Sequence, residues 1–402
     1  MLETRLSEEI SGRIEVFQAK LKENGIAAAL LVQSADLIYY TGTYQSGHLY
    51  LPAEGKPVFM VRRDFNRARE TACVEDVVPL RSYKDIPALI AEFGLPVPEV
   101  LGLEFDVLPV SFYLHYQKIF PRVRFVDVSH LIRSQRAVKS AYEVEVLTAS
   151  GKLLDAMLAA VPRVVGVGKP EVEMAGLLEG EARSLGHQGF IRFRGLNPDF
   201  FMGHLLTGPS GAVPSYFDGP VAGPGLDPTF AFGAGWRRLK PNEPVYVDYG
   251  AAYRGYVTDA TRVFVVGQLS PWLARAHNVA LEIQAALFEA AKPGVSPAFL
   301  YNLAVRMARE AGLEKYFQGW RQPVRFVGHG VGLELNELPV IAAGVEEPLA
   351  PGMVFALEPK FVFPGEGAVG IENTVVVTEK GVERLTNFPD EVGQIPYERS
   401  KA

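Results

Sequence analysis

Two pairs of acidic residues stand inside otherwise apolar stretches of this 402-residue sequence. Asp248 and Asp259 lie in PVYVDYGAAYRGYVTDATRVFVV, and Glu358 and Glu372 lie in ALEPKFVFPGEGAVGIENTVVV. Aspartate is disfavoured within strands, and carboxylates are rarely buried without a partner. Because an uncompensated buried charge is costly, a shared divalent cation is a physical reason for this placement.

The first pair falls on a predicted β-hairpin. Strands are predicted at about 244–250 and 256–266, joined by a turn centred between Tyr253 and Arg254. This register puts Asp248 directly opposite the second aspartate, with Cβ atoms roughly 4.5–5.5 Å apart. Like charges that face each other destabilise a sheet, which again calls for a cation between them.

The second pair falls on another predicted hairpin. PGEG predicts a turn between strands at about 353–362 and 369–377. With the turn centred on Gly365, Glu358 lies opposite Glu372. Exposed acids at strand edges are the alternative interpretation, but a second facing pair makes that alternative weak for both hairpins.

A histidine completes a set of residues that suits metal binding. His329 lies between two glycines in RFVGHGVGLELNELP, where the backbone can bend closely around an ion. Four carboxylates and one imidazole suit Mn, Fe, Co or Zn better than a soft metal. Cys73 is the sole cysteine, which excludes a thiolate cluster and an intrachain disulfide. Two ions bridged by carboxylates would acidify a water and polarise a carbonyl, which predicts a hydrolase.

Composition narrows the range of partners. With a formal charge of -6 and no basic block, the chain has nothing to neutralise phosphates, so we expect no nucleic-acid or membrane partner. The N-terminal MLETRLSEEISGRIEVFQ lacks the features of a secretory signal, and no apolar run reaches membrane-spanning length. A cytoplasmic enzyme acting on small neutral or zwitterionic substrates is expected.

The elements that must position these residues fall into two groups. A helix is predicted at about 8–24, and the runs AAALLV, LIYYTG and KPVFMV are typical of buried strands in an α/β sheet. A polar segment at 131–143 separates this part from a new amphipathic helix whose apolar face begins at Val144. The sequence therefore predicts a domain boundary near residue 138.

The second part combines a long loop with two helices. The Gly- and Pro-rich residues 203–244 cannot form a regular helix, and their aromatic content favours an ordered loop. One helix is predicted at about 272–291, and another begins with Ser296 as N-cap and Pro297 as its first residue. Both helices are expected to cover one face of a sheet, with His277 facing solvent.

In their order along the chain, VDYG, TDATR, GHGVGLELNELP, ALEP and IENT resemble the motifs of the pita-bread metallopeptidases. That family includes Xaa-Pro dipeptidases (prolidases), Xaa-Pro aminopeptidases, methionine aminopeptidases and creatinases. RIEVFQAKLKENGIAAALLVQSADLIYYTGT also resembles the creatinase-type N-terminal domain, which points to the prolidase and aminopeptidase P branch. The resemblance implies an α/β N-terminal domain at 1–138 and an α+β pita-bread catalytic domain at 139–402, in a homodimer.

The resemblance also assigns roles to individual residues. Asp248, Asp259, His329, Glu358 and Glu372 match the five ligands of a dinuclear metal centre. Asp259 and Glu372 would bridge the ions, and Glu358 would also serve as general base. The implied cofactor is two divalent metal ions, with Mn or Co favoured and Zn or Fe compatible. The implied substrate is a small peptide cleaved at its Xaa-Pro bond.

The sequence departs from the family's pattern where substrate is contacted or protons are carried. Ser215 stands where family peptidases usually carry a histidine, and Asn336 stands where a second histidine normally precedes the glutamate of NELP. Gly370 and Asn373 replace an arginine and an aspartate of the prolidase-like segment. His204 is a candidate catalytic replacement for the missing proton shuttle, although it also fits an ordinary loop or strand histidine. Ser215, Asn336 and His204 are the predicted substrate contacts.

Three functions remain open. The first is a dinuclear-metal-dependent hydrolase that cleaves Xaa-Pro peptide bonds. The second is a pita-bread metalloenzyme acting on a non-peptide substrate, as an amide hydrolase or lyase, and the changes at Ser215, Asn336 and Gly370 motivate it. The third is a non-catalytic binding protein on the same scaffold, which the presence of all five ligands disfavours.

Overall fold

The computed structural model describes residues 2–196 and 201–397, which divide into two units. One unit contains the chain up to Arg136 together with a short segment that starts at Arg194. The other starts at Ala137 and contains the rest of the described chain. Across these residues, no helix combines the length and the apolar character needed to span a bilayer.

The first unit is built on a mixed sheet flanked by helices. Its strands are β1 (Ala28–Leu31), β2 (Gly47–Pro52), β3 (Val58–Val61), β4 (Asp76–Pro79), β5 (Val100–Leu103) and β6 (Arg124–Asp127). Its helices are α1 (Leu2–Glu23), α2 (Ser34–Thr41), α3 (Phe65–Thr71), α4 (Ile86–Glu92), α5 (Val110–Ile119) and α6 (Ser129–Ala137). The strand order is β4-β3-β2-β1-β5-β6, and β2 runs antiparallel to both of its neighbours.

Two strand predictions for this unit are confirmed and one is wrong. AAALLV and KPVFMV contain β1 and β3, and α1 buries Ile10, Phe17 and Leu21 on the predicted face. LIYYTG is not a strand but falls in α2. The Gln33 side chain caps the first turn of that helix, and Gly42, with φ at 76°, ends it. A short apolar run fits either element, and here the two caps select the helix.

The second unit contains the predicted site. Its strands are β7 (Gly203–Thr207), β8 (Pro244–Tyr253), β9 (Tyr256–Val266), β10 (Phe326–Gly330), β11 (Glu337–Ala342), β12 (Val354–Leu357), β13 (Lys360–Phe363), β14 (Gly367–Gly370), β15 (Asn373–Val377), β16 (Val382–Arg384) and β17 (Gly393–Ile395). Its helices are α7 (Ala141–Leu158), α8 (Val161–Val164), α9 (Glu171–Ser184), α10 (Pro271–Ala290) and α11 (Pro297–Glu310). The sheets run β17-β9-β8-β7 and β11-β10-β12-β15-β16, with β13-β14 as a separate hairpin.

The β8–β9 hairpin has a different register from the predicted one. Asp248 pairs with Thr261, and Asp259 pairs with Gly250, so the two aspartates are diagonal neighbours on one face of the sheet. The prediction that they lie directly opposite each other is therefore wrong. Its cause is the turn, which is centred one position later because Arg254 adopts a positive φ of 48°.

The second hairpin keeps the predicted register but is interrupted in the middle. The pairs of β12 with β15 and of β13 with β14 both match a turn centred on Gly365. Between them, the Glu358 amide donates to the Val327 carbonyl (2.9 Å), and the Glu372 amide donates to the Thr261 carbonyl (3.3 Å). The backbone amides of the two glutamates thus bond to β10 and β9 instead of to each other. These bonds bring β9 and β10 next to the interrupted hairpin.

The predicted helices cover the sheets of this unit. Ser296 caps α11 by accepting a hydrogen bond from Phe299, as expected, and both α10 and α11 contribute to a core shared with β12 and β14. The prediction that His277 of α10 faces solvent is wrong. His277 is 1% exposed, and its Nε2 atom lies 3.1 Å from the Asp390 carbonyl oxygen. The predicted loop at 203–244 is also partly wrong, because it begins with β7 and a 3₁₀ turn.

Candidate metal centre

The residues predicted as metal ligands line one cavity of about 230 Å³ in the second unit. β8 and β9 supply the aspartates, β10 supplies the histidine, and the interruption of the second hairpin supplies both glutamates. The structure therefore brings together Asp248, Asp259, His329, Glu358 and Glu372. Strands from two sheets converge here, so residues far apart in sequence line the same cavity.

On one side of the cavity, carboxylate oxygens surround the His329 imidazole. Its Nε2 atom lies 3.8 Å from Asp259 Oδ2, 3.5 Å from Glu358 Oε1 and 3.8 Å from Glu372 Oε1. These separations are too long for hydrogen bonds. They are close to the spacing of about 3.4 Å between ligands of a tetrahedral ion with bonds of about 2.0–2.2 Å. The geometry thus leaves room for one ion between the four side chains.

The electrostatics of this side also call for a cation. Glu372 Oε1 is buried and has no hydrogen-bond partner among the described residues. Burial, followed by the charge of Asp248, raises the pKa of Asp259 to about 7. Burial and the charge of Asp259 hold the pKa of Glu372 well above its ordinary value. Without a cation, protons must remain on these carboxylates at neutral pH, so the donor set fits a divalent ion.

The Asp248 side of the same cavity already holds a positive charge. The Lys360 ammonium lies 2.9 Å from Asp248 Oδ2, 2.8 Å from Glu358 Oε2 and 2.9 Å from Glu372 Oε2. Burial lowers the pKa of Lys360, but the three carboxylates outweigh this effect and hold it well above its ordinary value. Burial likewise raises the pKa of Asp248, and Lys360 reverses this, so that carboxyl stays ionised. These residues do not fit a second ion in this arrangement.

Sequence reasoning missed Lys360 and two hydroxyl groups that hold the carboxylates. The Tyr246 hydroxyl donates to Asp248 Oδ2 (3.1 Å), and the Thr261 hydroxyl donates to Glu372 Oε2 (2.8 Å). The sequence does indicate the position of Lys360, because a lysine two residues after Glu358 in an apolar strand points to the same face as the glutamate. A lysine at a buried strand position needs acidic partners.

His204 also lies in the cavity, as the prediction of a catalytic role requires. It pairs with Asp248 across β7 and β8, and its Nε2 atom is 3.6 Å from Asp248 Oδ2. Both of its ring nitrogens are buried and lack hydrogen-bond partners among the described residues. Burial lowers the pKa of His204 to about 4, Asp248 opposes this shift, and Lys360 adds to it. The imidazole is therefore neutral near pH 7, with one donor and one acceptor to offer.

Asn336 and Ser215 also depart from the family pattern, and only one of them lines the cavity. Asn336 lines the cavity next to Leu335, as predicted for a substrate contact. Ser215 does not line it, because the hydroxyl donates to the Phe217 carbonyl (2.8 Å) within its own turn. The structure therefore does not support Ser215 as a substrate contact. Phe217 and Phe326 instead give the cavity an apolar wall.

Gly370 and Asn373 do not contact the cavity. A Cβ atom at Gly370 would lie 2.7 Å from the Pro359 carbonyl oxygen and 2.8 Å from the Lys360 Cα atom. Asn373 is fully buried; its oxygen accepts from Arg262 (2.8 Å) and its amide donates to Gln284 Oε1 (2.8 Å). Gly370 thus permits close packing of the β13–β14 hairpin, and Asn373 holds β15 in place through its hydrogen bonds.

This combination of fold and site defines a metallohydrolase. The Creatinase/Prolidase N-terminal domain matches residues 13–138, and Metallopeptidase family M24 matches residues 145–379. The match to the second family covers more than half of the chain. The protein belongs to metallopeptidase family M24.

Individual relatives match over nearly their full length. An Xaa-Pro dipeptidase of Pyrococcus furiosus is 27% identical over 382 residues, which cover 94% of this chain and 99% of that protein. Among solved structures, dipeptidase PepE from Mycobacterium ulcerans is 27% identical with a TM-score of 0.78, covering 97% of this chain and 99% of that chain. An Xaa-Pro dipeptidase from Bacillus anthracis is 25% identical with a TM-score of 0.81, covering 96% and 99%.

These findings confirm the family and the fold class inferred from the motifs. The chain has an α/β N-terminal domain of the creatinase type and an α+β pita-bread domain, and it is a metallopeptidase. Membership of the family implies divalent metal ions. The number of ions, the kind of metal and the individual ligands stay predictions.

Proposed function

We propose that this protein is a metal-dependent dipeptidase that cleaves Xaa-Pro bonds. One observation carries the proposal: the imidazole of His329 and three carboxylates surround a space of ion size inside a cavity with an apolar wall. Relatives named Xaa-Pro dipeptidase match nearly the whole chain, which favours a peptide over a non-peptide substrate. Mn or Co is the proposed metal, and a homodimer stays a prediction from the family.

The ion would be held by Asp259, His329, Glu358 and Glu372. When bound, it would polarise the scissile carbonyl and acidify the attacking water. Glu358 is the proposed general base, because it lies at the cavity surface with one oxygen toward His329 and the other on the Lys360 ammonium. Its carboxylate would accept the proton of the water and pass it to the leaving proline nitrogen.

Two neutral groups would position the peptide. The His204 imidazole has unused hydrogen-bonding atoms on both sides of its ring. It would donate to a carbonyl or carboxylate oxygen of the substrate while the peptide lies against the aromatic wall. Asn336, which follows His329 in the same sequence motif, lines the same cavity, and its side-chain amide would make a second contact.

Turnover of a peptide panel by Mn- or Co-loaded protein tests this function. Xaa-Pro dipeptides are expected to be cleaved, whereas matched Xaa-Ala dipeptides and longer Xaa-Pro peptides are expected to be poor substrates. The exposed Glu366 on the second hairpin provides a control variant, because Glu366→Gln leaves the cavity unchanged. No cleavage of any Xaa-Pro dipeptide by metal-loaded protein would contradict the proposal and favour a non-peptide substrate.

A further inference from the structure

The Lys360 ammonium uses all of its hydrogen-bonding capacity inside the carboxylate cluster. An ammonium group has three donors, and three different carboxylates lie 2.8–2.9 Å from this one. The lysine side chain is 3% exposed, so water cannot take the place of these partners. Lys360 is therefore a fixed part of the cluster.

We propose that this protein binds a single divalent ion, and that the Lys360 ammonium takes the place of a second ion beside Asp248. The inference rests on the proposed metal dependence, and it alters the expectation of two ions drawn from the family resemblance. The ion lies on the His329 side, where Glu372 Oε1 has no other partner among the described residues. The ammonium lies on the other side, where it bonds Glu372 Oε2.

Steric overlap prevents a second ion from joining this arrangement. An ion on Asp248 Oδ2 would lie about 2.0–2.2 Å from that oxygen. The Lys360 nitrogen lies 2.9 Å from the same atom and 2.9 Å from Glu372 Oε2, so the two cations would compete for the same oxygens. Their like charges would also repel each other at contact distance.

The hairpin around Lys360 is built to accept the lysine. Lys360 pairs with Gly370, and the glycine leaves space that a side chain would fill, since a Cβ atom there would lie 3.0 Å from Lys360 Cγ. The Gln318 side chain accepts from the Lys360 amide (2.8 Å) and fixes the backbone on the other edge. Lys360 and Gly370 thus fit each other across the hairpin.

The charges of the cluster are compatible with one ion beside the ammonium. The cluster contains four carboxylates, and one divalent ion plus one ammonium supply three positive charges. The cluster then has a net charge of about -1, and a second divalent ion would make it about +1 while placing two cations in contact beside Asp248, which a low-dielectric cavity disfavours.

Metal counting on the whole protein tests the inference without any variant. After loading with excess Mn²⁺ and removal of free metal, we expect one manganese per chain by elemental analysis. The electron paramagnetic resonance spectrum should be that of an isolated Mn²⁺ ion. Two ions per chain with an exchange-coupled spectrum would overturn the inference. One ion without cleavage of Xaa-Pro dipeptides would leave it standing and contradict only the proposed function.

Two variants test whether the Lys360 ammonium excludes a second ion. Lys360→Ala should raise the count to two ions per chain and produce an exchange-coupled spectrum, because Asp248 becomes available. Lys139→Ala is the matched control, since Lys139 is a buried lysine paired with Glu337 (3.2 Å), and its count should stay at one. A Lys360→Ala protein that folds and still binds one ion would overturn the inference.

Asp248→Asn keeps the inference testable if the lysine variant does not fold. In a single-ion centre, Asp248 pairs with Lys360 and holds no metal, so the variant should still bind one ion per chain. If Asp248 were instead a metal ligand, the variant would bind less metal than the unaltered protein. That loss would overturn the inference.

Discussion

Lys360 and Gly370 are paired across the hairpin of β13 and β14, and a Cβ atom at Gly370 would lie 2.8 Å from the Lys360 Cα atom. The neighbouring Pro359 carbonyl oxygen would lie only 2.7 Å away. Since backbone atoms cannot move aside as a flexible side chain can, Gly370→Ala should destabilise the protein by about 1–3 kcal/mol. Urea denaturation of the metal-free protein measures this change in the free energy of unfolding.

Gly176 is a matched control for that substitution. It lies in α9 with no atom near the position of an added Cβ. Gly176→Ala should therefore stabilise the protein slightly, by up to about 1 kcal/mol, because alanine favours a helix over glycine. Equal effects of the two substitutions would contradict the close packing between Gly370 and Lys360.

Sequence patterns predict the positions of the strands at the site better than the register in which those strands pair. Alternating apolar runs and PGEG fixed the second hairpin with the correct register around Gly365. The register predicted for the first hairpin is wrong, because Arg254 adopts a left-handed backbone conformation that is uncommon for a residue with a side chain. The aspartates still meet, because a change of two positions in pairing keeps side chains on the same face.

Sequence patterns do not predict contacts between segments that are far apart in the chain. The interruption of the second hairpin depends on hydrogen bonds from Glu358 and Glu372 to β10 and β9. The local turn at Ser215 and the buried network around Asn373 also depend on neighbours that lie far away or on rotamer choice. Family resemblance therefore predicted which acids gather but not that Lys360 joins them.

Replacement of His204 separates substrate contact from metal binding. His204→Gln should lower kcat/KM for Xaa-Pro dipeptides by about 10²-fold, as for the loss of a positioned proton-transfer or hydrogen-bonding group. Bound metal should be unchanged, since His204 Nε2 is 3.6 Å from Asp248 Oδ2 and holds no carboxylate in place by a hydrogen bond. The exposed His130 gives the control His130→Gln. Unaltered kcat/KM, or loss of metal, would argue against the proposed role.

His48 in the first unit should make the protein sensitive to acid. It is buried, with Nε2 2.7 Å from the Tyr116 hydroxyl, and burial, with the charge of Arg62, lowers its pKa to about 3. Its pKa in the unfolded chain is about 6.5. Between these values the unfolded state binds a proton that the folded state does not, so stability is lost as pH falls.

Chemical denaturation at several pH values measures this contribution. Between pH 6.5 and pH 4 the His48 contribution amounts to about 3 kcal/mol of unfolding free energy. His48→Gln keeps a hydrogen-bonding group for Tyr116 but cannot titrate, so its stability should fall less steeply with acid. His130→Gln should follow the unaltered protein. Identical slopes for all three proteins would rule out His48 as the source.

Glu372 connects the proposed ion to the Lys360 ammonium through its two oxygens. Oε2 lies 2.9 Å from Lys360 Nζ, and Oε1 is buried beside His329 with no hydrogen-bond partner in the described part of the chain. Glu372→Gln removes the charge while keeping the shape. Metal affinity should fall by more than ~100-fold, because even the loss of an outer contact costs about 10- to 100-fold. Cleavage of Xaa-Pro dipeptides should be lost at the same time.

Titration of the metal-free variant with Mn²⁺ measures that affinity, and Glu366→Gln on the same hairpin is the control. Glu366 is exposed, so its substitution should leave both the affinity and the cleavage unchanged. The unfolding midpoint of metal-free Glu372→Gln should not fall far, because burial already keeps a proton on this carboxyl when no cation is bound, so the neutral amide mainly weakens one contact with Lys360. A variant that binds Mn²⁺ as tightly as the unaltered protein would show that Glu372 is not a ligand.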